Sequence, residues 1–240
     1  MTRKTFIILL FFISSYFILS IYLLYFSIGL VFSDQTAISN YDKSRSIFWD
    51  KLYKGGGFTL YCGQKFRNSK GLNIEHVYPA SWMGEHLGCG SRKNCRKVSD
   101  RFNLMEADLH NLYPSIDKVN KLRSNFYFGI IEGEVPLVLN NKNRKGKPKT
   151  CDFEYDRKAK LAEPWPPARG NIARSIFYMN REYGLPISGK MVKFLKEWNL
   201  SDPPSPEEKR RNNLIEELQG TRNIFIDNYK DCYSLECSQE

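Results

Sequence analysis

Histidine is scarce in this 240-residue chain: three occur, against 14 tyrosines and 16 phenylalanines. Cysteine numbers only six, in two close pairs, Cys89 with Cys95 and Cys232 with Cys237, and two that stand apart, Cys62 and Cys151. A zinc-bound structural protein is disfavoured because export of the chain favours oxidation of such pairs. Acidic residues are outnumbered, 26 to 36, and the resulting formal charge of +10 suits a polyanionic partner or a membrane surface. Internal repeats and interdomain linkers are missing, which favours one globular domain, and an aromatic content of 14% excludes global disorder. Charge is absent altogether from Thr5 to Phe32, a run preceded by Arg3 and Lys4. Its length suffices to span a bilayer, for which about 20 helical residues are enough, while Val31-Phe32-Ser33 has the look of a cleavage site. Residues 1–33 are therefore expected to be a signal peptide or an N-terminal membrane anchor. Residues 34–240 are expected to form one exported domain that keeps the basic excess and whose cysteines favour disulfides.

Along that domain, Ile47, Phe48 and Leu52 fall near helical spacing between Tyr41 and Lys54, and Gly55-Gly56-Gly57 ends the element. Short strands are expected at Phe58–Cys62 and Asn73–Val77. Gly88–Lys97 lacks periodicity and reads as a loop stapled by Cys89 and Cys95. Phe102, Met105, Leu109 and Leu112 predict a helix from about Asp100 to Leu112, closed by Pro114. Two further apolar stripes follow: Ile172, Ile176, Met179 and Tyr183, closed by Gly184, and Met191, Phe194, Leu195 and Trp198. Ser205-Pro206 with Glu208 forms a capping box for a last helix ending near Gly220. The expected class is α+β, with helices wrapped around short central strands.

Chemistry concentrates in two runs. Glu75 and His76 are adjacent, so they can serve one site only if the strand ends or bends there, as Pro79 permits. In Asp108-Leu109-His110-Asn111, Asn111 offers a neutral oxygen that could join the ionised Glu75 in holding Mg²⁺, whose preferred ligands are oxygens. Asp108 and His110 are read as local hydrogen-bonding groups. On the loop flanked by Cys89 and Cys95, Arg92 and Arg96 could meet a phosphate, the planar guanidinium doing so bidentately.

These runs carry a resemblance. Ile74-Glu75-His76-Val77-Tyr78-Pro79-Ala80-Ser81-Trp82, Gly90-Ser91-Arg92-Lys93-Asn94-Cys95 and Met105-Glu106-Ala107-Asp108-Leu109-His110-Asn111-Leu112-Tyr113-Pro114-Ser115 resemble the endonuclease I family. Val119-Asn120, Arg123-Ser124-Asn125-Phe126, Pro167 to Arg174 and Gln219-Gly220 continue it in order, over about Tyr41 to Cys232. The resemblance implies a ββα-metal nuclease core surrounded by helices and a non-specific endonuclease acting on DNA and RNA. It implies Mg²⁺ as cofactor, with Mn²⁺ or Ca²⁺ as alternatives, and products bearing 5′-phosphates. It further implies Glu75 and Asn111 as metal ligands, His76 as general base and Arg92 as phosphate clamp, with Cys89 paired to Cys95 and Cys62 to Cys232. Cys151 and Cys237 are left either paired by elimination or free.

Relatives commonly carry eight cysteines, and Lys121-Leu122 stands where the family often has Gly-Asp. Backbone grip on nucleic acid is expected from Arg96, Arg169, Arg174 and the loop Lys142–Lys149, represented by Lys145. A monomer is expected, secreted or periplasmic, or anchored through residues 5–32. The competing reading is a catalytically inactive exported nucleic-acid-binding or DNA-uptake protein, against which the retention of Glu75, His76, Arg92 and Asn111 argues.

Overall fold

A computed structural model describes residues 35–133, 135–142 and 148–230. The apolar run Thr5–Phe32, Lys145, Cys232 and Cys237 lie outside the described residues. Among the described residues no helix is long and apolar enough to cross a membrane.

The chain enters through α1 (Tyr41–Ile47), whose first turn is capped by the Asn40 side chain, and continues into a π-helical turn, Phe48–Leu52. Strands β1 (Gly57–Phe58) and β2 (Lys65–Phe66) pair antiparallel. The expected strand Phe58–Cys62 is thus shorter and earlier, because Leu60 turns to donate its N–H to the Pro114 carbonyl. Next come β3 (Leu72–His76), α2 (Ala80–His86), α3 (Arg92–Val98) and α4 (Asp100–Ala107). The Gly88–Lys97 segment is a loop only as far as Ser91, whose hydroxyl accepts the Asn94 N–H and starts α3.

The predicted Asp100–Leu112 helix stops at Ala107. A 3₁₀ turn, Leu109–Asn111, and then β4 (Leu112–Ile116) follow. The reason is tertiary. Phe102 and Met105 belong to one apolar cluster, Leu109 and Leu112 to another, and the chain must turn at Asp108 to reach both. The buried Asp108 carboxylate holds the turn by accepting the His110 N–H and the hydroxyls of Tyr178 and Tyr183. Pro114 sits within β4 rather than ending a helix, its carbonyl taken by Leu60.

Strands β3 and β4 pair antiparallel over five residues, Glu75 opposite Tyr113 and His76 opposite Leu112. Helix α5 (Asp117–Arg123) leaves directly from β4 and packs on both strands, completing a ββα unit. Then come β5 (Tyr127–Phe128), the β6 (Leu137–Lys142) and β7 (Pro148–Cys151) hairpin, β8 (Phe153–Asp156) and β9 (Leu161–Pro164); β5, β9 and β8 form a small mixed sheet. Four helices close the chain: α6 (Pro166–Tyr183), α7 (Gly189–Ser201), α8 (Pro206–Gln219) and α9 (Ile224–Asp227). Gly184 and Gly220 terminate α6 and α8 in the left-handed conformation, and the Ser205 hydroxyl caps α8, as the sequence predicts. The architecture is α+β.

Two disulfides are present among the described residues, Cys89–Cys95 and Cys62–Cys151. The second corrects the expected Cys62–Cys232 pairing: hairpin β6–β7 brings Cys151 to a Cα separation of 4.9 Å from Cys62, within bridging range.

Candidate active site

A cavity of about 810 Å³ opens where β3 ends, and Glu75, His76, Arg92, Asn120, Arg123 and Ser81 are on its wall. The adjacency of Glu75 and His76 is accommodated because β3 terminates at His76. Beyond it, the Val77 N–H still finds the Asn111 carbonyl, while the chain bends through Tyr78 and Pro79 into α2.

The bend is clamped. Arg123, on the last turn of α5 and fully buried, donates to the carbonyls of Val77 at 2.7 Å and His76 at 3.4 Å, and lies 3.3 Å from Glu75 Oε1. Its neighbour Ser124 takes a positive φ of 53°, a conformation rare outside glycine, with its carbonyl held by the same guanidinium.

His76 has a defined tautomer. Its Nε2 lies 3.0 Å from the Glu106 carbonyl, which can only accept, so Nε2 carries the proton and Nδ1 keeps its lone pair. Burial, followed by the Arg92 charge, lowers its pKa to about 3, so the imidazole is neutral at physiological pH. The ring packs at a tilt against Tyr41, centroids 5.1 Å apart, and Tyr41 in turn faces the guanidinium groups of Arg92 and Arg96.

Glu75 Oε1 accepts the Tyr61 hydroxyl at 2.7 Å, and Oε2 has no hydrogen bond among the described residues. Burial pushes this carboxyl up to about 7 despite the opposing pull of Arg123 and the Tyr61 hydrogen bond. Asn120 is a residue the sequence reading passed over. Its Nδ2 donates to the Ile74 carbonyl at 3.2 Å and to Asn73 Oδ1 at 2.8 Å. A carbonyl cannot donate, so the nitrogen must face Ile74 and the carboxamide oxygen is left without a bond among the described residues. The signal was available in Val119-Asn120, placed on a helix that leaves directly from the strand paired with Glu75. Among the described residues no group of three or more His, Cys, Asp or Glu side chains could hold a metal. The oxygens of Glu75 and Asn120 nevertheless suit a hard divalent ion that keeps several waters.

Asn111 is not brought to the cavity wall. It is fully buried, its Oδ1 accepting the Tyr78 N–H at 2.7 Å and its Nδ2 donating to the Tyr78 carbonyl at 3.0 Å. Both ends of the carboxamide are occupied, so Asn111 fixes the backbone after His76 instead of offering a ligand. This corrects its expected role.

Arg92 reaches the cavity, its Nε paired with Glu106, while Arg96 binds the same carboxylate at 2.7 Å and stands behind the wall. Glu106 is fully buried and orients both. Arg174 is corrected outright: it is fully buried, in a two-bond pair with Glu208 at 2.6 and 2.7 Å, and ties α6 to α8. Arg169 is spent internally on Glu163 at 2.7 Å and the Pro164 carbonyl. The cavity's other cations are Arg45 and Lys121, which the sequence reading did not assign to binding.

A cavity that sets an oriented imidazole lone pair beside two unpartnered oxygens and an arginine, on a ββα frame, agrees with the sequence model of the Endonuclease I family, which matches residues 31–230. The chain belongs to the endonuclease I family. Its fold is accordingly that of a ββα-metal nuclease. The chain is 36% identical over 209 residues to an extracellular deoxyribonuclease of Aeromonas hydrophila, covering 76% of this chain and 85% of the relative. It is 36% identical over 194 residues to the Endonuclease-1 of Buchnera aphidicola subsp. Acyrthosiphon pisum, covering 78% and 72%. An extracellular ribonuclease of Bacillus amyloliquefaciens is 30% identical over 168 residues, 61% of this chain and half of that protein.

Proposed function

We propose that this endonuclease I family member is an exported, non-specific endonuclease that hydrolyses DNA and RNA with the help of Mg²⁺. One observation carries the reading: His76, with Nε2 committed to the Glu106 carbonyl and Nδ1 without a hydrogen bond among the described residues, lines the same cavity as Glu75, Asn120 and Arg92. Glu75 Oε2 and Asn120 Oδ1 are the atoms that would hold the ion. When bound, Mg²⁺ supplies charge stabilisation at the phosphate and the leaving 3′-oxygen. His76 Nδ1 takes a proton from the attacking water, its Nε2–H fixed on the Glu106 carbonyl throughout. Arg92, held by Glu106, meets the phosphate oxygens. The new P–O bond forms as the P–O3′ bond breaks, leaving a 5′-phosphate and a 3′-hydroxyl that takes up a proton. Relatives named as deoxyribonucleases and a ribonuclease support a substrate read by its backbone. The names of these extracellular relatives, and of a periplasmic deoxyribonuclease of Aeromonas hydrophila 35% identical over 208 residues, support residues 34–240 as a secreted or periplasmic domain, released from or anchored through residues 5–32.

The test is incubation of the protein with supercoiled DNA and with RNA, in Mg²⁺ or in chelator. Cutting in Mg²⁺ that stops in chelator, and is lost in Glu75→Ala and His76→Ala, is expected. Undiminished cutting by purified His76→Ala rejects its role as base.

A further inference from the structure

A second cleft, of about 400 Å³, is lined in part by α2, which also contributes residues to the reaction cavity. Its wall is aromatic: Tyr78, Trp82 and Tyr127, with Pro186 and Ile187 opposing. Trp82 packs on Tyr127 with ring centroids 4.9 Å apart, and Tyr78 meets Trp82 edge-on at 5.4 Å. The Tyr78 hydroxyl is tied to the Pro186 carbonyl at 3.0 Å, joining the two sides, while Tyr127 keeps 37% of its surface exposed. Ser81 and Asn125 face the cavity and hydrogen-bond each other at 3.3 Å; one residue along from Ser81 is Trp82, and two along from Asn125 is Tyr127, both in the cleft. The same two chain segments therefore contribute to both openings.

Resting on the nuclease reading, we infer that this cleft receives an unpaired nucleobase of the strand whose phosphate occupies the reaction cavity. A flat, sequence-tolerant ligand fits an aromatic wall, since every base presents a π-face. The volume is in the range of small-ligand sites, and the exposed Glu85 and His86 beside the rings offer polar contacts to a base edge. A base paired within a duplex cannot enter. The cleft would thus favour single strands, loops and frayed ends, while duplexes bind through their phosphates alone.

The test uses the full chain in chelator, where no cleavage competes, titrated with a short single strand carrying 2-aminopurine and with the same sequence as a duplex. Wild type is expected to quench the single-strand fluorescence by stacking. Tyr127→Ala should lower the ratio of single-strand to duplex affinity by roughly 5- to 150-fold, the range one lost base–aromatic stack carries, and Tyr127→Phe should restore it. Ser188→Trp, which fills the cleft while leaving Tyr78, Trp82 and Tyr127 unsubstituted, should lower the ratio likewise. An unchanged ratio in both Tyr127→Ala and Ser188→Trp overturns the inference. Plasmid cleavage by the same variants in Mg²⁺ keeps the two claims apart: cutting retained with an unchanged ratio leaves the nuclease reading standing and removes only the cleft.

Discussion

Two asparagines divide between the proposed ligand, Asn120, and scaffold, Asn111. Asn111→Ala orphans the buried N–H and carbonyl of Tyr78. It should cost about 2 kcal/mol or more of stability, seen as a lower melting temperature, while molecules that remain folded keep their Mg²⁺ dependence. Asn120→Ala is expected to do the reverse, changing stability by about 1 kcal/mol or less while raising the Mg²⁺ requirement sharply. Glu75 and His76 contribute to pH dependence in opposite senses. Burial raises the folded-state Glu75 to about 7 from 4.5, so the folded chain binds the extra proton, and this group's contribution to stability falls as pH rises through that window. His76 is depressed from 6.5 to about 3, so the stability contributed by its neutral form is present above 6.5 and is lost as pH falls towards 3. If His76 is the base, as proposed, it is already neutral at working pH, and Glu75 is expected to set the acid limb of cleavage. Because a cation competes with the proton for Glu75, raising Mg²⁺ should move that limb to lower pH. A limb that stays fixed across a Mg²⁺ series assigns it elsewhere.

Among the elements, the two disulfides have different work to do. Cys89–Cys95 spans six residues around the start of α3 and braces the turn that carries Arg92. Cys62–Cys151 closes a separation of 89 residues. Loop-closure entropy gives about 2 kcal/mol for the short ring and about 4–5 kcal/mol for the long one. Replacing Cys62 and Cys151 by serine should therefore lower the melting temperature more, and replacing Cys89 and Cys95 should lower kcat out of proportion to stability. Proportional losses in both pairs would contradict this division. The elements that were legible in the sequence are those whose signals are local: α6 and α8 with their glycine ends, the cap at Ser205, the strand carrying Glu75-His76. What was not legible depends on contacts far along the chain. The stripe Phe102, Met105, Leu109, Leu112 has a helical period but serves two different clusters. Asp108 turns the chain there through Tyr178, Tyr183 and Gln219, some 70 to 111 residues away. The same turn takes Asn111 out of the cavity and feeds β4 directly into α5, which brings in Asn120. Arg174 misled for a related reason: nothing local reveals that Glu208 will cover it.

For the molecule as a whole, positive charge divides between substrate and scaffold. Arg174→Ala strands a buried Glu208 and should destabilise by about 3–5 kcal/mol without altering the salt dependence of nucleic-acid binding. Arg45→Ala and Lys121→Ala, at the exposed cavity rim, should leave the melting temperature nearly unchanged and each reduce the slope of log affinity against log salt by about 1. A salt slope that changed with Arg174 instead would place the nucleic acid on the α6–α8 face. Beneath these effects lies the claim that Glu75, His76 and Asn120, supplied by β3 and α5, converge on one divalent ion and one water. The most direct measurement is the Mg²⁺ concentration dependence of plasmid cleavage by wild type, Asn120→Ala and Asn111→Ala, each shown to be folded at the assay temperature. The account predicts a strongly raised Mg²⁺ midpoint for Asn120→Ala and a wild-type midpoint for Asn111→Ala; the opposite assignment would contradict it.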